Sequence, residues 1–231
     1  MTQSVEDGSS ADRLVRFSTA ERMIHRSIAV LMLTCMATAA VLYNAPIAVS
    51  IGHRRIVKLI HITCGFALPV PILLGAVFAT YRADLRRLNR FRRSDWTWLR
   101  SGKRRDGSIR VGKFNAGQKL NSALSTGAIV VLLGTGTVMY FPNITRLSWR
   151  TGSTFVHDWF ALAIGLLIIG HIRFAIRDPE SRVGMKTGSV SAAWARKQHG
   201  EWAAEVASEA AARNGAAEEE ADVSGRRADA R

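Results

Sequence analysis

The chain has 231 residues, 48% of them hydrophobic, and a formal net charge of +14 at pH 7. Its two cysteines exclude an internal cysteine-ligated iron–sulfur cluster, which takes about four. Mean hydropathy is only +0.05, yet apolar and basic residues fall in separate stretches, which points to a membrane domain with tails rather than to a nucleic-acid binder.

In chain order, residues 1–12 are polar and read as a disordered tail. Residues 13–202 form the membrane domain, and 203–231 a polar C-terminal tail. Four stretches within the domain are apolar enough to span a bilayer: 24–43, 57–81, 120–141 and 154–176. Each is near the roughly 20 residues that a spanning helix requires. The first begins late and has no small-residue cleavage site before Tyr43, so it reads as a retained span rather than a signal peptide. Cys35 and Cys64 lie inside spans and read as small packing residues. Pro69 and Pro71 should kink the second span.

The connection 82–119 carries thirteen Lys or Arg, whereas the one between the third and fourth spans carries only Arg146 and Arg150. The positive-inside rule therefore places the long loop and both termini in the cytoplasm, outweighing Arg54, Arg55 and Lys58 in the first outer connection. The expected fold is an all-α integral membrane protein, a four-transmembrane-helix bundle with cytoplasmic termini. Beyond Ala203 the chain is rich in Ala and Glu; it can form a helix but shows no core-forming apolar stripe.

Two of the six histidines, His157 and His171, share the fourth span. Fourteen steps along a helix return to within roughly 40° of the starting direction and advance about 21 Å, so both rings lie on one face near opposite sides of a roughly 30 Å hydrocarbon core. Ionisable groups at such depths are costly and are functional candidates. A single histidine there is equally well explained by a hydrogen bond to a neighbouring helix. The set is harder to explain that way. His61 enters the second span near the outer side, at the depth of His157, and His25 opens the first span on the inner side, at the depth of His171. Imidazole is a common axial ligand of haem iron, so the depths suit two bis-histidine b haems, His61 with His157 and His25 with His171. His53 and His199 fall outside the hydrocarbon and read as ordinary polar residues.

Gly65 follows His61 by one helical turn, and Gly134 and Gly136 lie mid-span. Glycine there admits either a flat macrocycle or a closely packed helix. Asn115 is placed to cap the third span, with Gln118 interfacial. Arg26, Arg173 and Arg177 suit haem propionates or, more simply, anchoring of helix ends at the interface.

From about Arg16 to Trp202 the chain resembles the cytochrome b (gamma) subunit of membrane-bound respiratory formate dehydrogenases. The resemblance is carried by Gly112-Lys-Phe-Asn-Ala-Gly-Gln-Lys119, by Gly184-Met-Lys-Thr-Gly-Ser-Val-Ser-Ala-Ala-Trp-Ala-Arg-Lys-Gln-His199, and by the histidine positions. It implies that His61 and His157 hold an outer haem b and that His25 and His171 hold an inner one. It implies that Asn115, Gly117 and Gln118 line a pocket for menaquinone or ubiquinone. It also implies an iron–sulfur (beta) subunit and a catalytic (alpha) subunit as partners at the bacterial inner membrane, with electrons passing from formate to quinone and no formate site in this chain.

The chain departs from that pattern at Asp158, acidic where a small apolar residue is expected, and at Ala161, where a glycine is expected. Asp158 reads either as a hydrogen-bond partner of an imidazole or as a solvated residue. A di-haem subunit of a hydrogenase or sulfur-compound oxidoreductase, or a haem-free membrane anchor, are the alternative functions.

Overall fold

The computed structural model describes residues 13–102 and 106–229; the N-terminal tail expected to be disordered lies outside them. The elements in chain order are β1 (Arg13–Val15), α1 (Thr19–Tyr43), α2 (Ala45–Ile51), α3 (Arg54–Ala67), α4 (Pro69–Gly75), α5 (Ala79–Leu88) and α6 (Arg93–Arg100). They continue with α7 (Ala116–Tyr140), α8 (Leu147–Arg177), α9 (Pro179–Thr187), β2 (Ser189–Ser191), α10 (Ala192–Gln198) and α11 (Gly200–Asp229). The chain divides into two compact units.

The larger unit holds residues 17–90 and 117–188. Among the described residues four helical segments are long and apolar enough to cross a membrane: α1, the run α3–α4 from Arg54 to Gly75, α7 and α8. The protein is thus a multi-pass, predominantly α-helical membrane protein. Helix α1 opens on a capping box: Ser18 Oγ accepts from Glu21 N at 3.3 Å, and Ser18 N donates to Glu21 Oε2 at 2.6 Å. That pair satisfies two donors that a helix start otherwise leaves open.

The second span breaks where proline dictates. Leu68 keeps helical dihedrals, but Pro69 has no N–H to continue the ladder and α4 starts afresh there. This span was expected to run to residue 81; it ends at Gly75, and Tyr81 belongs to the separate helix α5. Gly75 is where Tyr81 folds back: a Cβ at that position would meet the Tyr81 ring at 2.7 Å and Ile24 Cδ1 at 2.8 Å.

Met32, Leu68, Ala128, Ile129 and Ile164 form the buried apolar layer, one or more from each span. Large apolar residues such as Leu59, Leu73, Val130 and Leu166 point outward, as they do when the surroundings are lipid.

The smaller unit holds the described residues up to Arg16, those in 91–116, and those from Ser189 onward. It contains a two-stranded antiparallel sheet, Arg13 opposite Ser191 and Val15 opposite Ser189, which the all-α expectation did not include. Three-residue strands carry too little pattern to be read from sequence. Its core is Val190, Ala195, Trp202 and Ala203, with Leu14, Trp194 and Val206 against it. The C-terminal segment is helical from Gly200, and its first turns do contribute to a core; the described residues from 211 to 221 are exposed.

Candidate functional site

Helices α1, α3 and α8 carry the four span histidines, and the structure brings these together in two pairs. The ring centroids of His25 and His171 are 6.2 Å apart with planes at 50°. Those of His61 and His157 are 6.3 Å apart with planes at 66°. The α8 histidine takes its partner from α3 in one pair and from α1 in the other.

These separations test whether a metal fits between the rings. With a metal–imidazole nitrogen bond of about 2.0–2.1 Å and a ring nitrogen about 1.1 Å from the ring centre, two imidazoles that shared one metal would have centroids up to about 6.2–6.4 Å apart. Both pairs match. Stacked rings would lie closer, and a direct ring-to-ring hydrogen bond would bring the nitrogens to about 3 Å. The donor set narrows the choice of metal. Among the described residues no group of three or more His, Cys, Asp or Glu could hold an ion. A bare structural zinc takes four protein ligands. Two lone imidazoles suit a metal whose remaining ligands come from a macrocycle, as in haem.

The two pairs differ in their surroundings. His61 and His157 are half-buried, whereas His25 and His171 are exposed on this chain. His61 Nδ1 lies 3.0 Å from Thr38 Oγ1 and 3.1 Å from the Cys35 carbonyl. His157 Nδ1 lies 3.0 Å from Thr135 Oγ1. A methyl group at Gly136 would sit 3.4 Å from His157 Cε1, in van der Waals contact with the ring. Side chains at Gly65 or Gly134 would meet nothing within 4 Å. Both cysteines are free thiols, and Cys35 Sγ approaches the His61 carbonyl at 3.8 Å.

Asp158 is exposed and lines an open groove with Arg150, Thr154 and Phe155. The hydroxyl of Thr135, not the Asp158 carboxylate, meets His157 Nδ1, which favours the solvated reading of Asp158. Arg26 donates to the Lys186 carbonyl at 3.2 Å, beside Arg22, which donates to the same oxygen at 2.6 Å. Both arginines therefore tie the foot of α1 to the end of α9. Arg173 and Arg177 are exposed.

In the smaller unit Asn115 directly precedes α7, at the position of an N-cap, and is half-buried. In the larger unit Gly117 and Gln118 are half-buried in the first turn of α7. Sequence reasoning missed Thr38 and Thr135, which resemble any other small polar residue in a span, and His199, which is 2% exposed. His199 Nδ1 meets the Gly112 carbonyl at 2.7 Å, and Arg16 Nη2 lies 3.2 Å from its Nε2. The Arg16 guanidinium also covers the Trp194 ring at 4.9 Å and donates to the Lys113 carbonyl at 2.7 Å. The signal was the pair of tryptophans flanking His199; the partner Arg16 is 183 residues away.

Four spanning helices with paired histidines define a membrane cytochrome of the b type. Residues 16–183 match the prokaryotic cytochrome b561 family, and the chain belongs to it. Membership implies haem b. The chain is also 33% identical over 99 residues to the nitrate-inducible formate dehydrogenase cytochrome b556(Fdn) subunit of Escherichia coli K12, and equally to those of Escherichia coli O157:H7 and Shigella flexneri. That likeness covers 42% of this chain, and the chain spans about half (46%) of the length of these curated relatives.

Proposed function

We propose that the chain is the di-haem cytochrome b membrane subunit of a respiratory formate dehydrogenase. It anchors the complex and passes electrons one at a time from an iron–sulfur subunit through two b haems to a membrane quinone. The observation that carries this reading is the pair of imidazole–imidazole separations, 6.2 and 6.3 Å, each bridging two spans. The likeness to the b556(Fdn) subunits supports formate dehydrogenase as the complex.

His61 and His157 hold one haem, and His25 and His171 the other. Helix α8 places one ligand of each, so both sites move with one rigid element. Asn115 and Gln118 supply hydrogen bonds to quinone carbonyl oxygens, and Gly117 leaves the backbone able to approach the ring. The basic connection 82–119 sets both termini in the cytoplasm of a bacterial inner membrane, with the His61–His157 pair toward the outer face. The catalytic and iron–sulfur partners then dock on that outer side, and menaquinone or ubiquinone is reduced near the inner pair, with lipid around the spans.

The test is b-haem content and the reduced-minus-oxidised spectrum of the purified protein and of four single His→Ala variants. Two haems per chain are expected. His61→Ala and His157→Ala should lose one of them, and His25→Ala and His171→Ala the other. Retention of two haems in any of the four would refute that ligand assignment, and an inserted wild-type chain without haem would favour the anchor reading. Co-purification with a hydrogenase or sulfur-compound oxidoreductase would move the electron source while leaving the haem sites as they are.

A further inference from the structure

We infer that Thr38 and Thr135 are positioning residues that lock the His61–His157 pair in the tautomer with hydrogen on Nδ1, leaving both Nε2 lone pairs free to hold a metal, while among the described residues the His25–His171 pair has no such lock. The inference rests on the haem reading above and deepens it.

The proton inventory decides the tautomer. A carbonyl oxygen can only accept. The Cys35 carbonyl lies 3.1 Å from His61 Nδ1, so that nitrogen carries the hydrogen. Thr38 Oγ1, 3.0 Å from the same nitrogen, is then an acceptor too. Its own hydrogen goes to the Thr34 carbonyl at 2.7 Å. The second ring repeats the arrangement. Thr135 has one hydroxyl hydrogen, and the Val131 carbonyl accepts it at 2.7 Å. A lone pair of Thr135 Oγ1 is left to accept from His157 Nδ1–H at 3.0 Å. In both cases a mid-span threonine bonds back to the carbonyl four residues earlier. In both, its spare lone pair takes the imidazole N–H of another helix: α1 to α3, then α7 to α8.

With Nδ1 protonated, Nε2 is bare and would be the atom that holds the haem iron. Among the described residues neither His25 nor His171 makes a hydrogen bond. Hydrogen bonds of this kind fix a ligand's orientation and raise its basicity. A more basic imidazole favours the oxidised metal. With haem bound, the pinned site would therefore have a lower midpoint potential than it would without its two threonines.

The test is an equilibrium redox titration, with low-spin electron paramagnetic resonance, of the haem-loaded protein in detergent. It compares wild type, Thr38→Val, Thr135→Val, the double variant and the two Thr→Ser variants. Valine keeps the shape and removes the acceptor; serine keeps the acceptor. One haem should shift to higher potential with altered g-values in the valine variants, most in the double variant, with the other haem unchanged and both signatures restored by serine. If a valine variant loses one haem while its serine counterpart keeps it, the positioning role stands; equal loss in both makes the role one of packing and overturns it. Unchanged potentials and g-values in the double variant, or equal shifts of both haems, overturn it as well. Failure of the haem reading is seen separately, as a wild-type chain that does not bind two b haems.

Discussion

Gly188→Ala is expected to destabilise the larger unit at the joint between the end of α9 and the foot of α1. Gly188 closes α9 with φ of 96°, a left-handed conformation that costs a residue with a Cβ about 1–2 kcal/mol. The added methyl would also stand 2.7 Å from the Phe17 carbonyl oxygen and 3.4 Å from Arg22 Nε. The first of these is backbone and has little freedom to give. Forced overpacking of this kind typically costs a further 1–3 kcal/mol or so. The joint cannot simply open, because Phe17 N donates to the Gly188 carbonyl at 3.0 Å, and Arg22 and Arg26 both donate to Lys186 two residues earlier. Together the two effects come to about 2–5 kcal/mol, and at roughly 2–4 °C per kcal/mol for a chain of this size the melting temperature should fall by about 4–20 °C. The assay is thermal unfolding in detergent followed by intrinsic fluorescence. Gly127→Ala is the control: a Cβ there meets nothing within 4 Å, and the change gains up to about 1 kcal/mol of helix propensity. Equal melting temperatures for wild type and Gly188→Ala would refute the reasoning, since neither the left-handed dihedral nor the contact with Phe17 would then be real. The joint includes Arg22, three residues before His25, so the same variant should loosen the His25–His171 pair before the other.

Three further outcomes are expected. Arg16→Met should cost the smaller unit about 2–4 kcal/mol, because it strips a guanidinium from two tryptophan faces and leaves the Lys113 carbonyl without that donor; faster limited proteolysis after α10 checks it. Ser18→Ala removes half of the capping box of α1 and should cost about 1 kcal/mol in the same thermal assay, with no change in haem content. Asn115→Ala combined with Gln118→Ala should leave haem reduction by the partner intact while slowing reoxidation by added quinone at least several-fold; unchanged reoxidation in stopped-flow would place the quinone elsewhere.

The four spans were legible because each is a long apolar run, a signal that does not depend on distant partners. Their ends were less so. The second span stops at Gly75 because the chain turns there and Tyr81 packs on the glycine, whereas hydropathy runs on through Val77 and Phe78. The histidine pairing followed from depth, a one-dimensional quantity that the sequence does carry. What depth cannot carry is which hydroxyl meets which ring. Thr38 and Thr135 lie 23 and 22 residues from their histidines, on neighbouring helices whose rotation is set by the Met32–Ile164 layer. His199 was misread for a related reason. It lies outside the spans, but the smaller unit has a core of its own, assembled from the chain's beginning, middle and end, and local polarity gives no hint of that closure.

The arrangement places an unequal burden on the helices. Helix α8 runs from Leu147 to Arg177 without interruption, 31 residues, or about 46 Å at 1.5 Å per residue. It contributes one ring to each pair, so the axial distance between the pairs is set by a single unbroken hydrogen-bonded ladder. The partner rings come from two other helices, and the one carrying His61 is interrupted about two turns later at Leu68–Pro69. A ring on such a segment gains from an external support: His61 is held from α1 by Thr38 and the Cys35 carbonyl, as His157 is held from α7 by Thr135. His25 stands on the continuous helix α1, whose foot is clamped through Arg22, Arg26 and the Phe17–Gly188 bond. The broken span is thus stabilised at its ring and the unbroken one at its base. Substitutions at Thr38 should therefore act on one site alone, whereas damage at the foot of α1 should reach the other site first.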